Sequence, residues 1–182
     1  MRHKGTQPIE TERLILRRFT LEDAQEMFEN WANDPEVTRY MRWQPHKRAE
    51  ESAEVLATWV QSYQSDETYQ WAIVRKSDGV LMGSIGMMLG TEEDCPAGWE
   101  PGYCIGAAFW GHGYTTEALN AVVDYFLNTT GETTLWCCHA TANPASGRVM
   151  EKAGFVYHHD GVYHKPSGEA IPAKYYCLQK RT

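Results

Sequence analysis

The sequence predicts a single α+β (mixed α/β) domain over residues 1–182, and three observations carry that prediction. Apolar residues recur at helical spacing in the first third and alternate with period two from residue 69. Two strand-like runs flank Ser77-Asp78-Gly79, which is a hairpin signal. Later a strand, a Gly-rich turn, a helix and another strand follow in that order, as in a crossover connection. Together these give a central sheet that is mixed but mostly antiparallel, flanked by helices. At 182 residues the chain is close to the length of one domain and can bury about two-thirds of its unfolded surface without a disulfide or metal staple.

Each element has a local reason. Leu14, Leu16 and Arg18 alternate with Arg13, Ile15 and Arg17, predicting a first strand. Thr20 is a fitting N-cap for a helix whose first turn holds Glu22 and Asp23; its apolar face is Leu21, Ala24, Met27, Phe28 and Trp31, and it stops near Asp34-Pro35. A second helix is expected over about 47–64, with Ala53, Leu56, Trp59, Val60 and Tyr63 on one face. Tyr69 to Arg75 and Val80 to Leu89 form the hairpin, and Trp99 to Ala107 the fourth strand. After the turn at Gly111-His112-Gly113, Ala118, Leu119, Val122, Tyr125 and Phe126 mark a helix. Thr133 to Thr141 is the fifth strand, Pro144 to Ala153 a helix ended by Gly154, and strands begin at Phe155 and Tyr175.

Composition excludes several classes. Seventeen basic against 24 acidic residues give a net charge of -7, which disfavours a nucleic-acid binder and suits a cationic partner. No apolar run reaches the roughly 18 residues of a membrane span, and Met1 to Glu10 has no apolar core of a secretory signal. Cys95, Cys104, Cys137, Cys138 and Cys177 form no metal-ligand spacing, so reduced thiols in a cytoplasmic protein are expected. His158, His159 and His164 lack the carboxylate or cysteine partners of a metal site and read as part of a polar strand.

The turn at Gly111-His112-Gly113-Tyr114-Thr115-Thr116 lies between strand and helix, where unpaired N–H groups and the helix dipole favour an anion. It is neither a Walker A loop, since no Gly-Lys-Ser/Thr occurs, nor a dinucleotide fingerprint, since Thr116 holds the third glycine's place. On these residues alone, a phosphate site and a simple helix entry both remain open.

The surroundings add a resemblance. Gly102-Tyr103-Cys104-Ile105 and the run Phe109-Trp110-Gly111-His112-Gly113-Tyr114-Thr115-Thr116-Glu117-Ala118 resemble the acyl-CoA-binding motif of the GNAT acetyltransferase superfamily. Thr11 to Arg17, Glu22-Asp23-Ala24, Asn33 to Val37, Asn143-Pro144-Ala145-Ser146 and Glu151 to Phe155 are similar to its RimJ/RimL-like branch, named for ribosomal-protein N-terminal acetyltransferases. The resemblance spans about residues 9 to 180. It implies the GNAT acyl-CoA N-acyltransferase fold, with the fourth and fifth strands splayed apart. It also implies acetyl-CoA as cosubstrate, its pantetheine pairing with backbone near Cys104 and Ile105 and its pyrophosphate on Gly111, His112, Gly113, Tyr114, Thr115 and Thr116.

The same resemblance assigns expected roles. Glu100 becomes the candidate base, direct or through water, and Ser146 the proton donor to the leaving thiolate. Asn143, a good N-cap in its own right, becomes a pantetheine contact. Tyr40 and Trp43 fall in the segment that covers the acceptor pocket in this family. Three positions depart from the pattern: Met150 replaces the usual tyrosine acid, Ala108 the usual Gln or Arg, and His112 a common Lys or Arg. The expected activity is acetyl transfer from acetyl-CoA to a primary amine, either a protein N-terminus or a small molecule, by direct attack and without a metal. Exposed aromatics would suit a homodimer. A non-catalytic acyl-CoA sensor of the same fold is the alternative, and a partner-binding domain with a degraded fold a third.

Overall fold

The computed structural model describes residues 3–90 and 98–180; Cys95 lies outside the described residues. Alternating side chains organise one sheet of eight strands: β1 (Ile9–Glu10), β2 (Leu14–Arg17), β3 (Tyr69–Arg75), β4 (Leu81–Leu89), β5 (Trp99–Ile105), β6 (Thr134–Ala140), β7 (Val156–His164) and β8 (Ala170–Gln179). Their spatial order is β1-β2-β3-β4-β5-β6-β8-β7. Every neighbouring pair is antiparallel except β5 and β6, which run parallel. A parallel pair needs a long crossover, and the helix Tyr114–Thr130 supplies it.

The two faces of β3 show how period two builds two cores. Tyr69, Trp71 and Ile73 face the crossover helix, with its Leu119, Val122 and Phe126. Ala72 and Val74 face the opposite side, where Met27, Trp31 and Leu56 pack. Each fully buried large side chain here is worth about 1.5–3 kcal/mol relative to exposure.

The helices are α1 (Leu21–Asp23 as a 3-10 turn, Ala24–Met27 as α and Phe28–Ala32 as π), α2 (Pro35–Thr38), α3 (Ala49–Ser62), α4 (Tyr114–Thr130) and α5 (Pro144–Lys152). At the start of α1, Asp23 accepts from the Thr20 amide at 2.8 Å and takes a forked pair of bonds from Arg17. Leu21 was expected on the apolar face but is 53% exposed. The opening 3-10 turn, at three residues per turn, rotates it away from the face that Met27 and Trp31 share. Helix α2 was not anticipated: Asp34 caps it by accepting from Glu36 N at 2.8 Å, and Pro35 starts it. Strand β8 begins at Ala170, earlier than expected, because pairing with β7 extends through Val162 opposite Pro172 to His164 opposite Ala170. A proline inside a strand removes a donor and so masks the strand signal.

Candidate active site

The parallel ladder of β5 and β6 has Trp99 opposite Leu135, after which the strands part. On its other side β5 is fully zipped to β4, from Trp99 opposite Leu89 to Ile105 opposite Gly83. Gly106 N donates to Met82 O at 2.9 Å, which fixes the phase of that ladder. By antiparallel alternation the backbone groups of Cys104 turn toward β4, and those of Tyr103 and Ile105 toward β6. Of the two residues expected to offer backbone there, Ile105 faces the opening and Cys104 faces β4; Tyr103 also faces the opening. Cys104 contributes its side chain, a thiol that burial pushes up to about 12 and keeps protonated. Pro101 has no N–H to leave unpaired, and its carbonyl accepts from the Cys137 thiol at 3.6 Å.

A cavity of about 500 Å³ occupies the opening. Glu100 and Cys104 of β5, His139 of β6, and Asn143 and Ser146 at the start of α5 all line it, as do Tyr40 and Trp43. The structure thus brings the expected base, donor and acceptor-pocket residues to one space. Asn143 also caps α5, with its side-chain oxygen 3.4 Å from Ser146 N.

The Gly-rich turn stands apart from this cavity and is exposed. Gly111 (φ 79°) and Gly113 (φ 80°) are both left-handed, the conformation that penalises a side chain. Thr115 and Thr116 lie in the first turn of the 17-residue α4, whose N-cap Gly113 offers no side chain of its own. Arg13 braces the loop: its guanidinium donates to His112 O at 2.9 Å, lies 4.5 Å from the Tyr114 ring centre, and pairs with Glu117 at 2.7 Å. Burial alone would raise the Glu117 carboxyl, but bonds from Thr11 and Arg13 outweigh it and hold the group below its ordinary value. Glu117 is thus turned to Arg13, and its charge is compensated at the anion-favouring helix end.

Glu100 is 6% exposed, with its carboxylate 3.6 Å from the Arg42 guanidinium. Arg42 in turn lies 5.2 Å from the Tyr163 ring centre. Ser146 Oγ is 2.9 Å from the Tyr103 hydroxyl, which also donates to Ser146 O at 3.2 Å. Burial first, and the neighbouring Cys137 second, hold the Tyr103 phenol well above its usual value, so it remains an O–H donor across the neutral range. Tyr103 is the residue that sequence reasoning passed over. Met150 lines the same cavity without a proton to give, and Tyr103 brings a hydroxyl to it from β5. His139 is a second such residue. It is 7% exposed, its Nδ1 is 2.8 Å from Ala140 O, and its buried Nε2 has no hydrogen-bond partner. That Nε2 faces Gly147, where an added Cβ would come within 2.6 Å.

On the acceptor side, the segment between α2 and α3 crosses to the far strands. The Tyr40 hydroxyl donates to Ala142 O at 3.1 Å, and the Tyr163 hydroxyl donates to Tyr40 O at 2.8 Å. Its other end is held by His46 N to Ala32 O at 2.8 Å and by His46 Nδ1 with the fully buried Ser52 hydroxyl at 2.7 Å. Burial lowers the His46 pKa below 6.5. His158 and His159 pack against Trp136 and Tyr175, as a polar strand among aromatics would. Among the described residues, no three His, Cys, Asp or Glu gather to hold a metal ion.

Comparison with known proteins agrees with this geometry. Residues 13–156 match the acetyltransferase (GNAT) domain family. The chain is 33% identical over 147 residues to the uncharacterized N-acetyltransferase YoaA of Bacillus subtilis, covering 81% of each. Its fold is similar to that of the microcin C7 self-immunity acetyltransferase MccE solved with acetyl-CoA and AMP, at a TM-score of 0.77 and 18% identity, covering 93% of each chain. It is likewise similar to a ribosomal-protein-serine acetyltransferase of Vibrio cholerae described as putative, at a TM-score of 0.75 and 18% identity over 97% of this chain and 99% of that one.

Proposed function

The chain belongs to the GNAT acetyltransferase family and is an acetyl-CoA-dependent acetyltransferase; on that premise we propose that its acceptor is a primary amine, which attacks the thioester directly. The observation that carries this reading is the convergence of a buried carboxylate and a hydroxyl pair on one cavity through the parted strands. Acetyl-CoA supplies the activated acetyl group. The backbone of Tyr103 and Ile105, the N-cap Asn143 and the turn from Gly111 to Thr116 are the groups that would hold it.

An acceptor ammonium of pKa about 8–10 must lose a proton before it can attack, and a positioned base is worth about 10²–10⁴ in rate. Glu100 is the carboxylate of the cavity and takes that role, directly or through a water. A backbone N–H on the open edge of β5 faces the developing oxyanion, a donor worth about 10²–10³. The Tyr103–Ser146 pair returns a proton to the departing sulfur, with Ser146, in the first turn of α5, as donor and Tyr103 the reservoir behind it. From ammonium to amide the nitrogen loses two protons, one to Glu100 before attack and one from the tetrahedral adduct. The departing sulfur takes one from the hydroxyl pair, which the second nitrogen proton restores, and Glu100 releases the other to solvent.

The RimJ/RimL-like features at Thr11 to Arg17 and Asn143 to Ser146 leave a protein N-terminus and a small-molecule amine both within this reading. No helix of the described residues is long and apolar enough to cross a membrane. Cys104, Cys137, Cys138 and Cys177 are free thiols, as a reducing compartment such as the cytoplasm leaves them. The test is release of free thiol from acetyl-CoA on addition of primary amines. Amine-dependent release is expected. Tight acetyl-CoA binding with no release for any amine would make the protein an acyl-CoA sensor instead.

A further inference from the structure

Resting on the acyl-transfer reading, we propose that the acceptor is a small primary amine with a compact aromatic or apolar body, admitted ammonium end first toward Glu100. A peptide N-terminus, an amino sugar and a polyamine fit the cavity less well. The argument begins with the wall on the α1 and α3 side of the opening. Trp43, Trp59, Met41 and Met88 line it, with the buried Trp31 and Met27 packed behind them. Flat indole faces and flexible thioethers make a pocket that accepts apolar bodies of varied outline. Indole faces also attract an organic cation, so an ammonium with an apolar tail is favoured at both ends.

Charge narrows the class further. Among the described residues that line the cavity, Glu100 is the one carboxylate, whereas Arg42 and His46 also line it. A polyamine would bring two or more ammonium groups past an arginine toward one carboxylate 3.6 Å from that arginine, which leaves a second cation poorly matched. An amino sugar carries several hydroxyls, each needing a partner, and the Trp and Met side chains of that wall supply indole N–H donors but no strong acceptor.

Shape argues against a peptide. An N-terminal peptide must leave the pocket as an extended chain with its N–H and C=O groups paired. The segment that would flank that exit is tied across to the β6–α5 connection by Tyr40 to Ala142 and to β7 by Tyr163 to Tyr40. It offers aromatic side chains to the cavity, Tyr40 and Trp43, in place of an open strand edge.

The experiment uses the full chain with saturating acetyl-CoA and reads thiol release with four acceptors: 2-phenylethylamine, spermidine, glucosamine and an alanine-initiated hexapeptide. 2-Phenylethylamine is expected to give kcat/KM at least about tenfold above the other three. Trp43→Ala is expected to raise KM for 2-phenylethylamine by about tenfold with KM for acetyl-CoA unchanged, and Trp43→Phe to stay near wild type. Preference for the peptide, spermidine or glucosamine would overturn the substrate class and leave acyl transfer standing. Thiol release with none of the four, with acetyl-CoA still bound, would overturn the acyl-transfer reading as well.

Discussion

On the proposed reading the turn at Gly111–Gly113 and the pocket under Tyr40–His46 serve one reaction, but they are built from different material. The turn offers backbone: two left-handed glycines and the free N–H groups of α4, braced from behind by Arg13. The pocket offers side chains from several separated elements, with Trp59 from α3, Met88 from β4 and Glu100 from β5. Backbone recognition tolerates little substitution at a few positions, and side-chain recognition tolerates much at many. One protein can therefore keep its cosubstrate constant while its acceptor specificity is free to vary.

Substitutions on either side sharpen that division or break it. The largest expected effect is Glu100→Gln, which should lower kcat by about 10²–10⁴ and leave KM for acetyl-CoA within error; a matching rise in that KM would move the carboxylate to the cosubstrate's side. Gly113→Val forces a β-branched residue to φ near 80°, a strain of about 1–3 kcal/mol. Relief by reshaping the turn should raise KM for acetyl-CoA by roughly 5- to 150-fold while KM for the amine holds. Between the two sides sits the hydroxyl pair. Tyr103→Phe and Ser146→Ala should each lower kcat by about tenfold, and the double variant no further than the worse single one, if the two act as a unit. Wild-type turnover in Ser146→Ala would remove it as donor.

Smaller effects fall on stability. Gly147→Ala would place a methyl 2.6 Å from the buried His139 ring, an overpacking worth about 1–3 kcal/mol and a Tm lower by about 2–10 °C. The smallest concerns His46, whose folded pKa is depressed by burial. Its unfolded form gains a proton first as pH drops below about 6.5, so its stabilising share is complete above that pH and shrinks below it. The Tm gap between wild type and His46→Gln should narrow from pH 7.5 to 5.5 by thermal unfolding; a constant gap would show that His46 is not desolvated.

The same division explains what could be read in advance. Strand alternation at Tyr69 to Arg75, the helix from Tyr114 and the glycine turn are local demands of backbone geometry, so they show in the chain itself. The family resemblance likewise rested on the glycine turn and the Asn143-Pro144 helix start. The Tyr103–Ser146 pair was not legible because the two residues are 43 positions apart, and period two gives a strand residue its face but not its neighbour across a gap. The bond from Tyr163 to Tyr40 spans 123 positions and left no local trace. Leu21 misled because helical spacing assumes 3.6 residues per turn, and the first turn of α1 is tighter.

The brace behind the glycine turn ties early chain to late chain. Thr11 and Arg13 reach Glu117 across 106 and 104 positions, and Arg13 reaches His112 across 99. Contacts of such separation close a long loop and come at the slow end of assembly. If the turn holds the diphosphate as proposed, it should reach its working shape only when the first strand has docked, so that cosubstrate affinity reports completed folding, and trimming residues before 14 should blunt that affinity even though none of the described ones lines the cavity.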